Sequence, residues 1–143
     1  MSSSFDGGAS GLLAGRDRAD WDTLVTYMQP LRFSPGETLL VDGEPDRSFY
    51  VLVDGTLEAI VRSKSGSRHK TVMEAGAVFG EVAFFDGGAR SATVRGVTGG
   101  ELLRLSFEQF ELLAAKFPEL AQALLTDLGL RLASRLRAVE RGQ

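Results

Sequence analysis

Cysteine is absent from this 143-residue sequence, and histidine occurs once, as His69. The absence of cysteine excludes a disulfide framework and thiolate metal sites. The single histidine excludes the multi-histidine centre that a metal phosphodiesterase needs. His69 follows a polar turn, which is typical of a solvated residue at a strand end rather than of a catalytic base. The formal net charge of −3 disfavours a nucleic-acid surface, which needs a concentrated basic face.

Long apolar runs are also missing. No stretch of about eighteen apolar residues occurs, so the sequence predicts no membrane-spanning helix. The N-terminus has no lysine or arginine before Arg16 and only a trace of an apolar segment, which makes it a poor signal peptide. We therefore interpret residues 1–18 as a flexible tail and expect a cytoplasmic protein.

The remaining residues, 19–143, have the size and apolar content of one domain with its own core. The segment from Asp20 to Gln29 predicts a short helix that Pro30 stops. Glycines then punctuate β-branched and aromatic runs, which favours an antiparallel sandwich or barrel over about residues 31–106. The predicted strands are Glu37–Val41, Ser48–Val53, Thr56–Arg62, His69–Met73, Ala77–Phe79, Ala92–Val97 and Glu101–Ser106.

From Phe107 onwards the apolar residues recur at helical spacing. We predict one helix over residues 107–117 and a second over 118–141, with Pro118 in its first turn. The second helix carries an apolar stripe: Ala121, Leu124, Leu125, Leu128, Leu132, Leu136 and Val139. Packing on the β region explains its first turns. Beyond Leu128 the stripe can cover a ligand, pair with a second copy of the chain, or do both.

The segment FGEVAFFDGGARSATV, from Phe79 to Val94, combines several features that bind an anion. Gly80 lets the backbone approach a ligand closely, and Glu81 to Ala83 can begin a short helix with free N–H groups. Arg90 offers a planar fork of donors that suits two phosphate oxygens. The Glu81 carboxylate would repel a phosphate unless it accepts a hydrogen bond from another part of the ligand, and a sugar hydroxyl meets that requirement.

This ordered pattern resembles the phosphate-binding cassette of cyclic nucleotide-binding domains, which reads roughly F-G-E-[LV]-A, a short loop, and R-[SAT]-A-T-V. The spacing of Gly36, Gly43 and Gly55 also resembles that family's β-roll, so the resemblance covers about residues 20–140. It implies an α+β fold, a jelly-roll-like antiparallel β-roll of about eight strands with an N-terminal helix and two C-terminal helices. It points to sensor domains of the catabolite-activator and protein kinase A regulatory-subunit type, without a DNA-binding or catalytic domain.

The resemblance also implies the role of each site residue. Glu81 would accept the ribose 2′-hydroxyl, while the Gly80 and Ala83 amides, the Arg90 guanidinium and the Ser91 hydroxyl would hold the cyclic phosphate. The full set of candidate ligand-binding residues is Phe79, Gly80, Glu81, Val82, Ala83, Arg90, Ser91, Ala92 and Arg135. We expect Arg90 to lie in a pocket that solvent reaches, where its loss would change stability little without ligand. The competing interpretation is a glycine-rich loop with a surface arginine.

Arg135 lies at the edge of the apolar stripe of the second C-terminal helix. An arginine there can lay its planar head on a purine ring, or it can extend its head into solvent from an ordinary helix surface. In the catabolite-activator branch, hydroxyl residues that read adenine align with Arg135 and Leu136. This chain departs from that pattern, so the resemblance does not carry base selectivity.

These features favour a sensor module that binds a cyclic purine nucleotide, cAMP ahead of cGMP, and performs no chemistry. The sequence offers no nucleophile beside a base and no metal cluster, so we expect neither catalysis nor a cofactor. No output domain accompanies the resemblance, so we expect the effector to be a partner or further chain. The alternatives are an interaction or oligomerisation module of the same fold that binds no nucleotide, and a module that holds another small ligand.

Overall fold

A computed structural model describes residues 11–62 and 65–141 of the protein. Its helices are α1 (Arg18–Thr26), α2 (Glu81–Asp86), α3 (Phe107–Lys116) and α4 (Pro118–Arg141). Its strands are β1 (Gln29–Phe33), β2 (Thr38–Leu40), β3 (Ser48–Asp54), β4 (Leu57–Arg62), β5 (Arg68–Met73), β6 (Val78–Phe79), β7 (Thr93–Gly96) and β8 (Gly100–Ser106). Within the described residues, no helix is long and apolar enough to cross a membrane.

The strands form two four-stranded antiparallel sheets, in the orders β1-β8-β3-β6 and β2-β7-β4-β5. The chain passes repeatedly from one sheet to the other, so the two sheets close into a β-roll. One helix precedes the roll, two follow it, and the short helix α2 interrupts it between β6 and β7. The predicted fold class is therefore confirmed.

The first sheet is covered on both faces, which explains the continuous apolar run in β3. Phe49 and Val51 pack against buried residues of α1, α3 and α4. The alternate residues of the strand, Tyr50 and Leu52, face the interior of the roll. Alternation along a strand sends successive side chains to opposite faces, so one apolar strand contributes to two cores. This places β3 directly between the helical layer and the roll interior.

Helix α1 and strand β1 differ from the sequence prediction at their shared boundary. The helix begins earlier, at Arg18, because the Asp17 side chain accepts a hydrogen bond from the N–H of Asp20. It ends at Thr26, and Pro30 lies inside β1 rather than acting as the helix stop. Proline is tolerated there because β1 is an edge strand, where a missing N–H can face solvent.

The flexible tail predicted for residues 1–18 is not what the structure has over its later part. Leu12 and Leu13 are buried at 3% and 6% exposure within the helical core. The N–H of Leu13 donates to Asp127 of α4 at 2.6 Å. Burial of two leucines and a hydrogen bond offset the entropy cost of ordering this turn, which composition alone could not reveal. Residues 1–10 lie outside the described part of the chain.

Helices α3 and α4 agree with the predicted bounds to within one residue. The Ser106 side chain accepts a hydrogen bond from the N–H of Gln109 and so caps α3. On α4 the buried residues are Leu120, Ala121, Leu124 and Leu128. Exposure rises beyond Leu128, and Leu136 is 64% exposed. Only the first half of α4 therefore packs into the core.

Candidate functional site

The turn from β6 into α2 forms one wall of the site. Gly80 has φ of 90°, in the left-handed region that favours glycine. A Cβ at this position would lie 2.7 Å from Nη1 of Arg90 and 2.9 Å from the Ser48 carbonyl oxygen. Glycine is thus required both for the turn and for the close approach of Arg90. Helix α2 ends at Asp86, and the N–H of the following C-cap residue, Gly87, donates to the Ala83 carbonyl.

The candidate residues surround a single cavity of about 300 Å³ between α2, α4 and the second sheet. All nine predicted site residues line it: Phe79, Gly80, Glu81, Val82, Ala83, Arg90, Ser91, Ala92 and Arg135. The structure therefore brings together residues separated by up to 56 positions, from Phe79 to Arg135. The volume of the cavity is at the lower end of the range for small-molecule sites.

The other lining residues of the cavity were missed at the level of sequence. They are Leu40, Ala59, Val61, Thr71, Met73, Ala89 and Val94. Ala59 and Thr71 are cross-strand partners in β4 and β5, so the same sheet face supplies both. Period-two alternation along β4 separates Ala59 and Val61 from their neighbours, but the pattern alone does not say which face meets the cassette.

Arg90 is held deep in the site and is 5% exposed. Its Nη2 donates to the Ser48 carbonyl at 2.8 Å, and its Nη1 donates to the Gly80 carbonyl at 3.2 Å. Its Nε is buried and has no hydrogen-bond partner among the described residues. The expectation that Arg90 lies in a pocket reached by solvent is therefore wrong, because the backbone of β3 and the cassette enclose its guanidinium. The Nε–H group therefore remains to be satisfied.

Asp46 is the acidic partner of Arg90, with 3.0 Å between Oδ2 and Nη2. The same carboxylate accepts a hydrogen bond from the Tyr50 hydroxyl at 2.6 Å and pairs with Arg104 at 3.2 Å. Burial raises the pKa of Asp46, but hydrogen bonds from Tyr50 and Arg90 outweigh it and lower the pKa to about 2. Burial and the hydrogen bond to Asp46 raise the pKa of Tyr50 to about 12. Asp46 is thus a charged anchor for Arg90 over the whole ordinary pH range.

Glu81, the first residue of α2, is 2% exposed, and Arg135 of α4 donates to it at 2.7 Å. The Arg135 side chain is 56% exposed, so a buried acid is paired with a largely solvated base. The guanidinium therefore joins α4 to α2 beside the cavity, which both residues line. In this structure the Arg135 guanidinium is paired with a carboxylate instead of being left unpaired to stack on a ring. The helical wheel could not show this contact.

The other predicted residues divide between buried support and accessible surface. The Phe79 ring stacks on Tyr50 with a centroid distance of 5.2 Å, and Ala83 is 4% exposed. Ser91 is exposed beside Arg90, and Val82 of α2 is 54% exposed. Residues 11–62 and 65–141 contain no group of three or more His, Asp or Glu side chains placed to hold a metal ion.

A family profile described as "Cyclic nucleotide-binding domain" matches residues 30–117. The chain belongs to the cyclic nucleotide-binding domain family. The match begins at the second residue of β1 and ends just after α3. It therefore includes the β-roll apart from Gln29, and every candidate site residue except Arg135. The resemblance of the sequence to this family is thus confirmed.

Family relatives include a CRP-like cAMP-activated global transcriptional regulator of Mycobacterium tuberculosis, which is 27% identical over 124 residues. That alignment covers 86% of this chain and 55% of the regulator, so the chain spans about half the length of that relative. The crystal structure of the Thermus thermophilus catabolite activator protein is 25% identical and superposes with a TM-score of 0.83, covering 93% of this chain and 61% of that one.

A cyclic nucleotide-binding domain from Methylobacillus flagellatus superposes with a TM-score of 0.85. The superposition covers 96% of this chain and 79% of that one, at 22% identity. At this identity the likeness concerns the fold alone. It includes the helices on either side of the β-roll, because the covered share exceeds the part that the family profile matches.

Proposed function

We propose that this protein is a regulatory module that binds a cyclic purine nucleotide, with cAMP preferred over cGMP. The observation that carries the proposal is Arg90, a buried arginine whose Nε has no hydrogen-bond partner among the described residues. An unmet donor on a charged group is costly in the interior, and an anion in the adjoining cavity would satisfy it. The membership of the chain in the cyclic nucleotide-binding family agrees with this anion being a cyclic phosphate.

The phosphate would be bound by Arg90 together with backbone N–H groups of the cassette. The first N–H groups of a helix have no intrahelical acceptor, and those of Glu81 to Ala83 open α2 beside the cavity. Ser91 adds an accessible hydroxyl next to Arg90. Asp46 keeps the guanidinium in place, so the arginine is oriented before the ligand arrives and loses little freedom on binding.

The sugar and the base would occupy the two remaining parts of the cavity. Glu81 is placed to accept the ribose 2′-hydroxyl, since its carboxylate lines the cavity beside the phosphate site. Ala59, Val61 and Met73 present an apolar surface that fits the face of a purine. Arg135 would cap the ligand from α4 while it remains paired with Glu81. None of these roles makes or breaks a covalent bond, so the proposed activity is binding without chemistry.

The response to nucleotide would be a population shift. Ligand contacts to both Arg90 and Glu81 favour the arrangement in which α2 and α4 close on the cavity, because Arg135 joins the two helices through Glu81. The signal would then pass to an effector in a partner or in further chain. The distal half of α4, where Leu136 is exposed, makes little contact with the core. In the absence of ligand it should therefore be the low-stability part of the module.

Isothermal titration calorimetry with cAMP and cGMP tests the proposal directly. The protein must first be unfolded, dialysed and refolded, and shown by its absorbance ratio to be free of carried-over nucleotide. We expect saturable binding of one nucleotide per chain, tighter for cAMP, and no binding of 5′-AMP at the same concentration. If neither cyclic nucleotide binds to nucleotide-free protein, the proposed function is wrong.

The exposed apolar residues of α4 favour a second activity, self-association. Leu130 and Leu136 are 65% and 64% exposed on a helix that ends well beyond the core. We propose that this half of α4 pairs with a second copy of the chain. Sedimentation equilibrium should detect a dimer that Leu136→Glu weakens, whereas Leu112→Glu, on α3, should leave it intact. A monomer at all accessible concentrations would remove this second candidate.

A further inference from the structure

Arg47 contacts the cassette from outside the cavity. It lies in the loop that leads into β3 and is not among the residues that line the cavity. Its Nε donates to the Phe84 carbonyl and its Nη2 donates to the Phe85 carbonyl, each at 2.8 Å. These carbonyls belong to the last turn of α2 and have no acceptor role within that helix. Arg47 therefore holds the end of α2 that lies away from the proposed phosphate site.

The same residue is attached to the beginning of α3. The Arg47 guanidinium carbon lies 3.6 Å from the centroid of the Phe107 ring, a close cation–π contact. The N–H of Phe107 donates to the Arg47 carbonyl at 2.9 Å. One residue thus bridges the end of the cassette helix and the first residue of the C-terminal helices, which are far apart in sequence.

Directional bonds distinguish this bridge from the apolar packing around it. Phe84 also touches α3, with its ring centroid 5.5 Å from those of Phe107 and Phe110. Apolar ring contacts of this kind tolerate small sliding movements, because the hydrophobic effect has no direction. Two parallel hydrogen bonds from a planar guanidinium do not tolerate them. Arg47 therefore carries the part of the α2–α3 contact that would convert a displacement of α2 into a displacement of α3.

The residue before Arg47 holds a second point of the cassette. Asp46 pairs with Arg90 at 3.0 Å, at the proposed phosphate site. Two consecutive residues of one loop therefore bind the cassette at two points, the end of α2 and Arg90. A change at Arg90 reaches Arg47 through a single peptide unit, which is short and planar.

We propose that Arg47 is a positioning residue that transmits the ligand state of the cassette to α3 and thus to α4. The proposal rests on the proposed function, since it needs the cassette to bind cyclic nucleotide. It does not give Arg47 any contact with the nucleotide. Arg47 acts by fixing α2 relative to α3, so its loss separates binding at the cassette from the response of the C-terminal helices.

Hydrogen exchange with mass-spectrometric detection tests this, with and without saturating cAMP. The variants are Arg47→Ala, Arg47→Lys and the control Arg68→Ala, which removes an exposed arginine of β5. In the wild type, cAMP should protect residues 80–84 and also 107–116. In Arg47→Ala the protection at 80–84 should persist, while that at 107–116 should fall by more than half. Arg47→Lys should be intermediate, because lysine keeps the charge without the planar fork.

Each result bears on the proposal. A residue with a merely structural role would lower the melting temperature and leave the cAMP-induced protection at 107–116 at its wild-type size, which would overturn the proposal. The same holds if the wild type binds cAMP but shows no change at 107–116. If the wild type neither binds cAMP nor gains protection at 80–84, the proposed function fails first and this inference fails with it. Should Arg47→Ala not fold, Arg47→Lys decides alone: protection at 107–116 equal to wild type contradicts the transmission role.

Discussion

Arg135 donates to Glu81 across 2.7 Å and thereby joins α4 to the first residue of α2. The two residues are 54 positions apart in sequence. Glu81 is almost wholly buried, whereas more than half of the Arg135 side chain is in solvent. The pair is therefore placed where a ligand that binds Glu81 would meet the residue that holds α4 over the cavity.

We expect Arg135→Ala to loosen the distal half of α4 in the absence of nucleotide. The change leaves the buried Glu81 carboxylate without its ion pair, and the exposure of Arg135 limits the cost to on the order of 1 kcal/mol. Amide exchange over residues 128–139 should accelerate. Arg137→Ala, which removes a neighbouring exposed arginine of the same helix, serves as the control. Equal exchange in both variants would show that the Glu81 contact does not hold α4.

Recognition of the sugar should depend on Glu81. If this carboxylate accepts the ribose 2′-hydroxyl, 2′-deoxy-cAMP should bind at least tenfold more weakly than cAMP, since one hydrogen bond to a charged group is worth about 1.5–3 kcal/mol. Glu81→Gln keeps one acceptor and should lose less affinity than Glu81→Ala. Competition against a fluorescent cAMP analogue measures both ligands with the wild type and the two variants. Equal affinities for the deoxy and parent ligands would exclude Glu81 from the site.

Loss of Arg90 should affect both binding and stability. Arg90→Ala should weaken cAMP binding by about 1.5–3 kcal/mol, the size of a lost charge-assisted hydrogen bond. It should also destabilise the ligand-free protein by about 1–3 kcal/mol, because Asp46 and the Ser48 carbonyl lose a buried donor. Urea unfolding and calorimetry measure the two effects, with Arg62→Ala as the control. An unchanged cAMP affinity would contradict the cassette assignment.

Base preference should respond to the residue after Arg90. The pattern of the cyclic nucleotide-binding family links a threonine at this position with a preference for cGMP, because its hydroxyl can reach the guanine amino group as well as the phosphate. Ser91 has the hydroxyl without the methyl group that restricts the rotamer, so discrimination should be slight in the wild type. Ser91→Thr should shift the ratio of the two dissociation constants towards cGMP by severalfold in parallel titrations. A strong preference of the wild type for cGMP would be inconsistent with this role.

The low pKa of Asp46 predicts a loss of stability in acid. The folded-state pKa of about 2 lies below the ordinary value of 3.8, so Asp46 stabilises the fold fully above about pH 4. This contribution, on the order of 1 kcal/mol after allowance for partial exposure, is lost as the pH falls towards 2. The stability advantage of the wild type over Asp46→Asn should therefore shrink between pH 4 and pH 2 in urea titrations. A constant advantage would show that the charge of Asp46 is not what matters.

The local features of this protein follow from the sequence by itself. The cassette can be predicted from the sequence because Gly80, Glu81 and Arg90 lie within eleven consecutive residues. Each of them has a chemistry that few other residues supply. The bounds of α3 and α4 are readable because helical spacing and Pro118 are local signals. The β-roll follows from the spacing of turn glycines, and the two antiparallel sheets of the structure confirm it.

Contacts between distant segments were decided only by the tertiary structure. Nothing in the residues around Asp46 or Arg47 indicates that one anchors Arg90 and the other anchors α2, because those partners come from a segment about forty positions away. The N–H of Leu13 is likewise bound by a carboxylate of α4, from more than one hundred positions away. Propensity and periodicity act over a few residues, whereas burial and ion pairing depend on which faces meet after folding. The sequence thus specifies the groups that could hold a phosphate, and the packing of the two sheets with α2 and α4 determines that they surround one cavity.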